Sequence, residues 1–271
     1  MSPQHLLDTA ITAAQAGGEK LLAMASRHET LRIETKTEAD FVTVADRAAE
    51  ETIVKHLLAA FPDHHILAEE QTHVETGEKT SASSTSVQWI IDPLDGTTNY
   101  IHGVPNFSVS IAARQNAEVI AGVVWDPLQR ELFTATKGGG AFLNGKPIHV
   151  SATARLRDGL IATGFPFRVR HFLDSYCRMF KDFLQAARDL RRFGSAALDL
   201  AYVAAGRFDG FWEYCLNPWD FAAGALLVRE AGGEISGFSA NENFWGTGNI
   251  VASNGKLHQA MLEIILKHHR A

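Results

Sequence analysis

Residues 87–100 read VQWIIDPLDGTTNY, and this stretch determines how the rest of the chain is interpreted. The mostly apolar, β-branched and aromatic run at 87–91 predicts a buried strand. Asp92 lies at the end of that strand, and Pro93 is expected to stop the sheet pairing because proline has no N–H to donate. Asp95 follows three positions later, so two acids leave the strand together.

The loop after this strand combines acids with free backbone donors. Asp92 and Asp95 supply carboxylates, and carboxylate and carbonyl oxygens suit hard cations such as Mg²⁺. Gly96 and Thr97 lie where a helix could begin, and free N–H groups at a helix N-terminus suit a phosphate oxygen. An ordinary Asp-Pro-Gly turn is the alternative. Acids elsewhere in the chain favour the interpretation with metal and phosphate.

The composition is that of a soluble globular protein, with 46% hydrophobic and 21% charged residues in 271. We predict two subdomains sharing a core: an α+β unit over residues 1–150, with an antiparallel sheet and the metal-binding loop, and an α/β unit over 151–271 that completes the site.

The net charge of −6, without a Lys/Arg run, argues against general nucleic-acid binding.

The cysteines and the apolar segments indicate the compartment. Cys177 and Cys215 are the only cysteines, and two thiols give neither a disulfide framework nor a zinc-like spacing. The sequence shows no signal peptide and no apolar run of membrane-spanning length. We therefore expect a cytoplasmic protein that does not associate with membranes.

Before the central loop, helical spacing predicts helices over residues 6–25 and 45–61, separated by a polar loop at 35–40. Asp46 falls in the first turn of the second helix, where the helix dipole alone would favour an acid. A short strand then ends at the acidic pair that begins with Glu69. Adjacent glutamates usually lie in a solvated loop, but at the end of a buried strand they are placed to bind a ligand. Residues 75–86 are expected to form an exposed connection.

After the central loop, three antiparallel strands are predicted over residues 107–113, 119–125 and 131–136. Residues 140–146 fit most of a nucleotide-binding P-loop, but Pro147 stands where that motif needs Ser or Thr. Asn144 and Gly145 are better interpreted as a hairpin turn.

The second half alternates helices and strands, which predicts an α/β arrangement. Asp220 begins a helix over residues 218–231, and Glu213 ends a strand. Each also has an ordinary interpretation, as a helix-start acid and a strand-end charge. Arg191 and Arg192 contact either the substrate or a subunit interface, and the sequence leaves both possibilities open.

Taken together, these motifs resemble the signatures of the inositol monophosphatase family over almost the whole chain. The family's motifs are matched by AEE at 68–70, DPLDGTTN at 92–99, PWDFAAG at 218–224 and EAGG at 230–233. Two further segments are most similar to the family's bacterial SuhB-type branch, namely TGFPF at 163–167 and GSAALDLAYVAAG at 194–206.

The resemblance implies a layered αβαβα sandwich of mixed α+β and α/β character, Mg²⁺-dependent phosphomonoester hydrolysis, inhibition by Li⁺, and a homodimer. Glu69, Asp92 and the Leu94 carbonyl would hold the first Mg²⁺. Asp92, Asp95 and Asp220 would hold the second, and a weaker third could bind near Glu69.

The remaining roles also follow from the resemblance. Catalytic roles are implied for Glu69, Thr97 and Asp46, with Asp46 orienting the Thr97 hydroxyl that helps to align the attacking water. The residues implied in substrate binding are Gly96 and Thr97 at the phosphate, and Gly194, Ala196 and Glu213 around the alcohol.

The chemistry agrees independently. Two metals about 3.5–4 Å apart can stabilise both the attacking and the leaving oxygen of an in-line displacement. None of the 12 histidines falls in the motifs, so a metal-activated water is the expected nucleophile. We predict hydrolysis of inositol 1-phosphate to myo-inositol. The alternatives are fructose 1,6-bisphosphate, histidinol phosphate or a nucleotide 3′-phosphate as substrate, or a regulatory protein that binds a macromolecular partner and whose phosphatase site is incidental.

Overall fold

The computed structural model describes residues 2–25, 33–37, 40–70, 86–239 and 241–269. Its helices are α1 (Pro3–Ala25), α2 (Val44–Ala60), α3 (Thr97–Ile101), α4 (Leu173–Ala186), α5 (Ala196–Ala204), α6 (Pro218–Glu230), α7 (Phe244–Thr247) and α8 (His258–His268). Its strands are β1 (Ile33–Thr37), β2 (Asp40–Thr43), β3 (His65–Ala68), β4 (Gln88–Asp95), β5 (Ser108–Gln115), β6 (Glu118–Asp126), β7 (Glu131–Thr136), β8 (Gly140–Leu143), β9 (Lys146–Ile148), β10 (Leu160–Thr163), β11 (Asp189–Arg191), β12 (Gly210–Glu213), β13 (Glu234–Ser236) and β14 (Ile250–Ser253).

Two large sheets alternate with three helical layers. The seven-stranded sheet has the order β3-β4-β5-β6-β7-β8-β9 and is antiparallel except for the β3–β4 pair. The five-stranded sheet has the order β11-β10-β12-β14-β13 and is mixed. Helices α1 and α2 cover the outer face of the large sheet, α5 and α6 lie between the sheets, and α4 and α8 cover the outer face of the smaller one. The predicted αβαβα sandwich is confirmed.

The central strand β4 is buried on both of its faces. Trp89 and Ile91 pack into the core beneath α1 and α2, whereas Ile90 points into the core shared with α5 and α6. Successive strand residues point to opposite faces, and helices cover both faces here. Three consecutive apolar residues at 89–91 are therefore expected in this part of β4.

Strand pairing does not stop at Pro93, contrary to the sequence-based expectation. Asp92 pairs with Ser110 and Asp95 with Ser108, so three steps along β4 match two steps along β5. This bulge accommodates the proline, which has no N–H for the ladder. Ser108 and Ser110 are two residues apart and share a face, so the bulge brings Asp92 and Asp95 onto that same face.

Two further expectations concern the first third of the chain. A polar loop was expected at 35–40, but residues 35–37 belong to β1 and residue 40 to β2, and these two strands pair antiparallel. That prediction was wrong because backbone pairing, rather than an apolar pattern, defines this ribbon. The exposed connection predicted over residues 75–86 lies outside the described residues, apart from Ser86.

The two sheets are built from successive parts of the chain. The large sheet ends at Ile148 and the smaller one begins at Leu160. One apolar core nevertheless joins α5 and α6 to strands of both sheets. The division into subdomains at residue 150 remains a prediction. No helix in the described ranges is long and apolar enough to cross a membrane.

The approach of α6 to the large sheet depends on Gly122. A Cβ atom at Gly122 would lie 3.1 Å from the Ala223 Cα atom, which belongs to the backbone and cannot rotate away. We expect Gly122→Ala to lower the free energy of unfolding by about 1–2 kcal/mol through overpacking. Urea denaturation followed by circular dichroism measures this change. Gly246→Ala is the matched control, because its Cβ has nothing nearer than 3.8 Å. Equal stability of the two variants would contradict this account of the contact.

Candidate active site

The four predicted carboxylates lie around one pocket between the large sheet and the inner helices. Glu69 directly follows β3, Asp92 and Asp95 lie on β4, and Asp220 lies in the first turn of α6. Of the other predicted site residues, Leu94, Gly96, Thr97, Gly194, Ala196 and Glu213 also line this pocket. Asp46 is placed behind it and reaches Thr97. The structure thus brings together residues as distant in sequence as Asp46 and Asp220.

Glu69 is positioned by the parallel pairing of β3 with β4. Its N–H donates to the Ile91 carbonyl at 3.2 Å, which extends the ladder one residue beyond β3. Immediately afterwards, the buried Glu50 carboxylate accepts a hydrogen bond from the Glu70 N–H at 2.8 Å. The Glu69 carboxylate lies 3.9 Å from the Arg168 guanidinium. The acidic pair is therefore held at the end of a strand, as the sequence predicted.

Asp220 is a helix-start acid that also lines the pocket. Its Oδ2 accepts a hydrogen bond from the Asn217 N–H at 2.7 Å, as expected of an acid at the third helical position, and Pro218 occupies the first helical position. The same side chain is buried and lines the pocket. The local capping geometry is therefore what aims this acid at the other carboxylates.

Asp95 is held by the N-terminus of α5. Its Oδ2 accepts hydrogen bonds from the Ala197 N–H at 2.8 Å and from the Ser195 hydroxyl, and its Oδ1 accepts from the Ala196 N–H at 3.3 Å. Free amide groups and the helix dipole stabilise an anion at such a position. Each carboxylate oxygen has two acceptor positions, so Asp95 retains capacity for a cation.

Burial and mutual repulsion dominate the electrostatics of the site. Burial raises the pKa of Asp92 and of Asp220 well above the ordinary value, and the charge of Glu69 raises both further. Burial also raises the pKa of Asp95, although its hydrogen bonds from Ser195 and α5 act in the opposite direction. A divalent cation would relieve this repulsion, because an opposite charge favours the ionised form of a carboxyl group.

The donor set fits Mg²⁺, which prefers oxygen ligands and binds through a few carboxylates. Within the described residues, however, no three His, Cys, Asp or Glu side chains are arranged to hold a metal ion as they stand. Asp95 and Asp220 each have an oxygen bonded to a backbone N–H group.

Thr97 opens α3, directly after Gly96. Its hydroxyl lies 3.2 Å from Asp46 Oδ1 and 3.1 Å from the Leu94 carbonyl oxygen. The hydroxyl hydrogen can therefore be directed to the buried Asp46 or to the carbonyl predicted as a metal ligand. Gly96 is left-handed, with φ of 97°, and a Cβ there would approach the Asn106 carbonyl oxygen to 3.0 Å. Glycine is required for this turn into α3.

The opposite side of the pocket is formed by residues of the smaller sheet and α5. Glu213 ends β12, and burial raises its pKa to about 7. A Cβ at Gly164 would lie 2.0 Å from the Glu213 carboxylate, so only glycine leaves room for this acid. Gly194 is left-handed and lies beneath Arg192, whose Nη1 would be 2.3 Å from an added Cβ.

The structure distinguishes the two arginines and adds residues that the sequence reasoning missed. Arg192 lines the pocket, whereas Arg191 pairs with Asp189 at 2.6 Å. Arg168, Ser195 and Asp199 also line the pocket and were not singled out. Arg168 directly follows the segment 163–167, and Ser195 and Asp199 lie within the segment 194–206. Both segments were used only as family markers, although they could have pointed to these pocket residues.

Comparison with known proteins agrees with the fold and the motifs. The model of the inositol monophosphatase family matches residues 2–270. A Nus factor SuhB of Pseudomonas aeruginosa is 46% identical over 267 residues, covering 98% of this chain and 97% of the relative. An inositol-1-monophosphatase of Mesorhizobium japonicum is 40% identical, covering 98% of both chains. The chain belongs to the inositol monophosphatase family, as the motifs predicted.

Solved structures give the same result. The crystal structure of the extragenic suppressor protein suhB from Bartonella henselae superposes with a TM-score of 0.91 at 40% identity, covering 98% of this chain and all of that one. An inositol monophosphatase from Anabaena superposes with a TM-score of 0.85 at 37% identity, covering 98% and 97%. The family is generally Mg²⁺-dependent, which agrees with the donor set of the pocket.

Glu213 provides a pH-dependent test of the site's electrostatics. Because burial raises its pKa from 4.5 to about 7, the folded state prefers the protonated acid. Stability from this group is complete below pH 4.5 and is lost as the pH rises through about 7. The free energy of unfolding of the parent should fall between pH 5 and pH 8. The Glu213→Gln variant should lose less over the same range, by on the order of 2–3 kcal/mol.

Urea titrations in EDTA at both pH values measure this difference. Glu51→Gln, at an exposed position on α2, is the control and should keep the parent's pH dependence. An identical pH dependence of the Glu213→Gln variant and the parent would contradict the raised pKa.

Proposed function

We propose that this protein is a Mg²⁺-dependent phosphomonoesterase that converts inositol 1-phosphate to myo-inositol and phosphate. The observation that carries the proposal is the convergence of Glu69, Asp92, Asp95 and Asp220 around one pocket, with the start of α3 beside them. Buried acids that raise one another's pKa values are unfavourable unless a cation joins them. A pocket that collects cations next to backbone donors suits a phosphate ester.

The proposed ligands follow the predicted assignment. Glu69, Asp92 and the Leu94 carbonyl would hold one Mg²⁺. Asp92, Asp95 and Asp220 would hold a second Mg²⁺, and Glu69 would contribute to a weaker third site. Bound Mg²⁺ neutralises phosphate charge and lowers the pKa of a water, which supplies a nucleophile near neutral pH. The number of Mg²⁺ ions bound during catalysis is also part of the proposal.

The protein's own groups position the ester. The Gly96 and Thr97 N–H groups would bind the phosphate oxygens at the start of α3. Thr97 would orient the attacking water, and Asp46 supports this role because it lies 3.2 Å from the Thr97 hydroxyl. On the other side, Glu213 and the backbone at Gly194 and Ala196 would contact the hydroxyl groups of the alcohol.

The alcohol distinguishes this substrate from its rivals. Fructose 1,6-bisphosphate, histidinol phosphate and nucleotide 3′-phosphates share the phosphate end but differ in charge and hydrogen bonding at the other end. Steady-state kinetics with all four substrates, with and without Mg²⁺ and Li⁺, tests the proposal. The highest kcat/KM is expected for inositol 1-phosphate, with a loss of turnover in EDTA and inhibition by Li⁺. A clear preference for another of the four would overturn the substrate but not the phosphatase.

Asp92→Asn and Asp220→Asn test the ligand assignment in two ways. Turnover at saturating Mg²⁺ should fall by at least about 10³-fold, because each amide removes a charge from the cation site. Mg²⁺ should raise the melting temperature of the parent and raise that of the variants much less, since a ligand stabilises only the state that binds it.

Asp126→Asn is the matched control for both measurements. Asp126 is also a buried aspartate, but it accepts hydrogen bonds from Leu128 and Gln129 in a turn and does not line the pocket. Asp126→Asn should respond to Mg²⁺ as the parent does. Near-parent turnover of Asp92→Asn or Asp220→Asn would refute the assignment of that residue.

A second candidate function is supported by the names of the relatives. Several relatives at 46–47% identity carry the name Nus factor SuhB, including that of Escherichia coli K12. The corresponding proposal is a cellular role through a macromolecular partner, with the phosphatase site incidental. Complementation of a deletion strain with the inactive Asp92→Asn variant distinguishes the partner-binding role from the phosphatase role. Restored growth favours the partner role, whereas failed rescue by a stably expressed variant favours the enzyme.

The family resemblance also supports a homodimer and a cytoplasmic location, which we include in the proposal. Light scattering during size-exclusion chromatography would determine the oligomeric state, and a monomer at micromolar concentration would contradict the homodimer.

A further inference from the structure

Arg168 is a pocket residue to which the proposed function gives no role. It lines the pocket together with Glu69, and its Nη2 lies 3.9 Å from Glu69 Oε1. The Arg168 side chain is 36% exposed, whereas that of Glu69 is 10% exposed. A cationic side chain that solvent can reach is therefore in contact with an acid that we assign as a metal ligand.

The backbone around Arg168 is tied into a turn. Residues 164–172 connect β10 to α4, and within them the Val169 N–H donates to the Pro166 carbonyl at 3.1 Å. The Arg168 guanidinium carbon lies 5.3 Å from the centre of the Phe167 ring, which is within the range of a cation–π interaction. The turn and the ring together direct the guanidinium to this side of the pocket.

The contact between Arg168 and Glu69 joins the two sheets. Glu69 directly follows β3 of the large sheet, and Arg168 lies in the connection that follows β10 of the smaller sheet. The ion pair thus spans the pocket at the proposed cation site. Ion pairs that water can reach are weak, so a divalent cation can displace the guanidinium from this carboxylate.

The chemistry of arginine determines the sign of its effect on a metal. A guanidinium carries only N–H donors and stays protonated, so it cannot itself become a metal ligand. It competes with Mg²⁺ for the Glu69 oxygens and repels the ion from a nearby position. Arg168 can therefore only weaken the binding of a cation at Glu69.

We propose that Arg168 is a positioning residue that holds the Glu69 carboxylate while no metal is bound there and competes with Mg²⁺ for it. Arg168 thereby limits the Mg²⁺ affinity of the site. This inference rests on the proposed function and deepens it by naming a residue that regulates the cation site. Each Mg²⁺ that Glu69 ligates gains affinity when the guanidinium is removed.

A purely structural role of Arg168 makes the opposite prediction. If Arg168 only ordered the connection between β10 and α4, its replacement would loosen the pocket, and Mg²⁺ would bind more weakly or as before. Competition instead predicts tighter Mg²⁺ binding in a variant that has lost a native contact. A lysine at this position keeps the charge, so it should retain the competition.

The experiment is a calorimetric titration of Mg²⁺ alone into the full chain after removal of metals with EDTA. Arg168→Gln should lower the Mg²⁺ concentration at half-saturation about fivefold, and Arg168→Lys should remain within about twofold of the parent. In 1 M NaCl the advantage of the glutamine variant should shrink to less than about twofold, because salt screens an exposed pair. Arg168→Met, which keeps an apolar chain beside the Phe167 ring, should behave as the glutamine variant does and replaces it if that variant does not fold.

Arg155→Gln is the matched control. Arg155 forms an exposed ion pair with Asp158 at 2.6 Å and does not line the pocket, so its loss should leave Mg²⁺ binding unchanged. Mg²⁺ binding to Arg168→Gln or Arg168→Met that is equal to or weaker than in the parent would overturn the inference and leave the phosphatase intact. Tighter binding in Arg168→Lys by the same factor would overturn it as well. A parent that binds no Mg²⁺ would refute the proposed function together with the inference, whereas a parent that binds Mg²⁺ but hydrolyses no phosphate ester would refute the function alone.

Discussion

The structure depends on holding several carboxylates next to one another away from water. Burial raises the pKa values of Asp92, Asp95 and Asp220, and the charge of Glu69 raises those of Asp92 and Asp220 further. What keeps the acids in place is a set of backbone donors: the Leu94 N–H for Asp92, the start of α5 for Asp95 and the Asn217 N–H for Asp220. Each donor partly compensates a buried charge, so the fold tolerates a cluster that repulsion alone would disperse.

The layered architecture is what makes this cluster possible. The bulge at Pro93 turns Asp92 and Asp95 to the face of the large sheet that meets α5 and α6. Because the same helical layer packs on both sheets, α5 receives Asp95 at its N-terminus, and α6 presents Asp220 from its first turn. The site therefore exists only when both sheets are assembled on the shared helices.

The sequence predicted most of this arrangement, and its failures have physical reasons. Strands such as β4 and helices such as α6 carry strong apolar patterns and clear start signals, so their positions could be predicted. The bulge could not, because a proline after an acid predicts a strand end as readily as a bulge that preserves pairing. Asp199 escaped notice because an acid in a helix of alanines and leucines gives no sign of which cavity it borders. Ser195 was missed for a related reason: its bond to Asp95 joins residues 100 positions apart.

The same electrostatics constrain how a phosphate ester can enter. The pocket is lined by six acids, which are Glu69, Asp92, Asp95, Asp199, Glu213 and Asp220, and by the arginines Arg168 and Arg192. An ester carrying up to two negative charges is repelled by such a wall unless positive charge is already there. The acids therefore favour cations first and phosphate second. The need for a cation therefore follows from the same burial that raises the pKa values of Asp92 and Asp220, because a phosphate can approach these carboxylates only after positive charge has offset them.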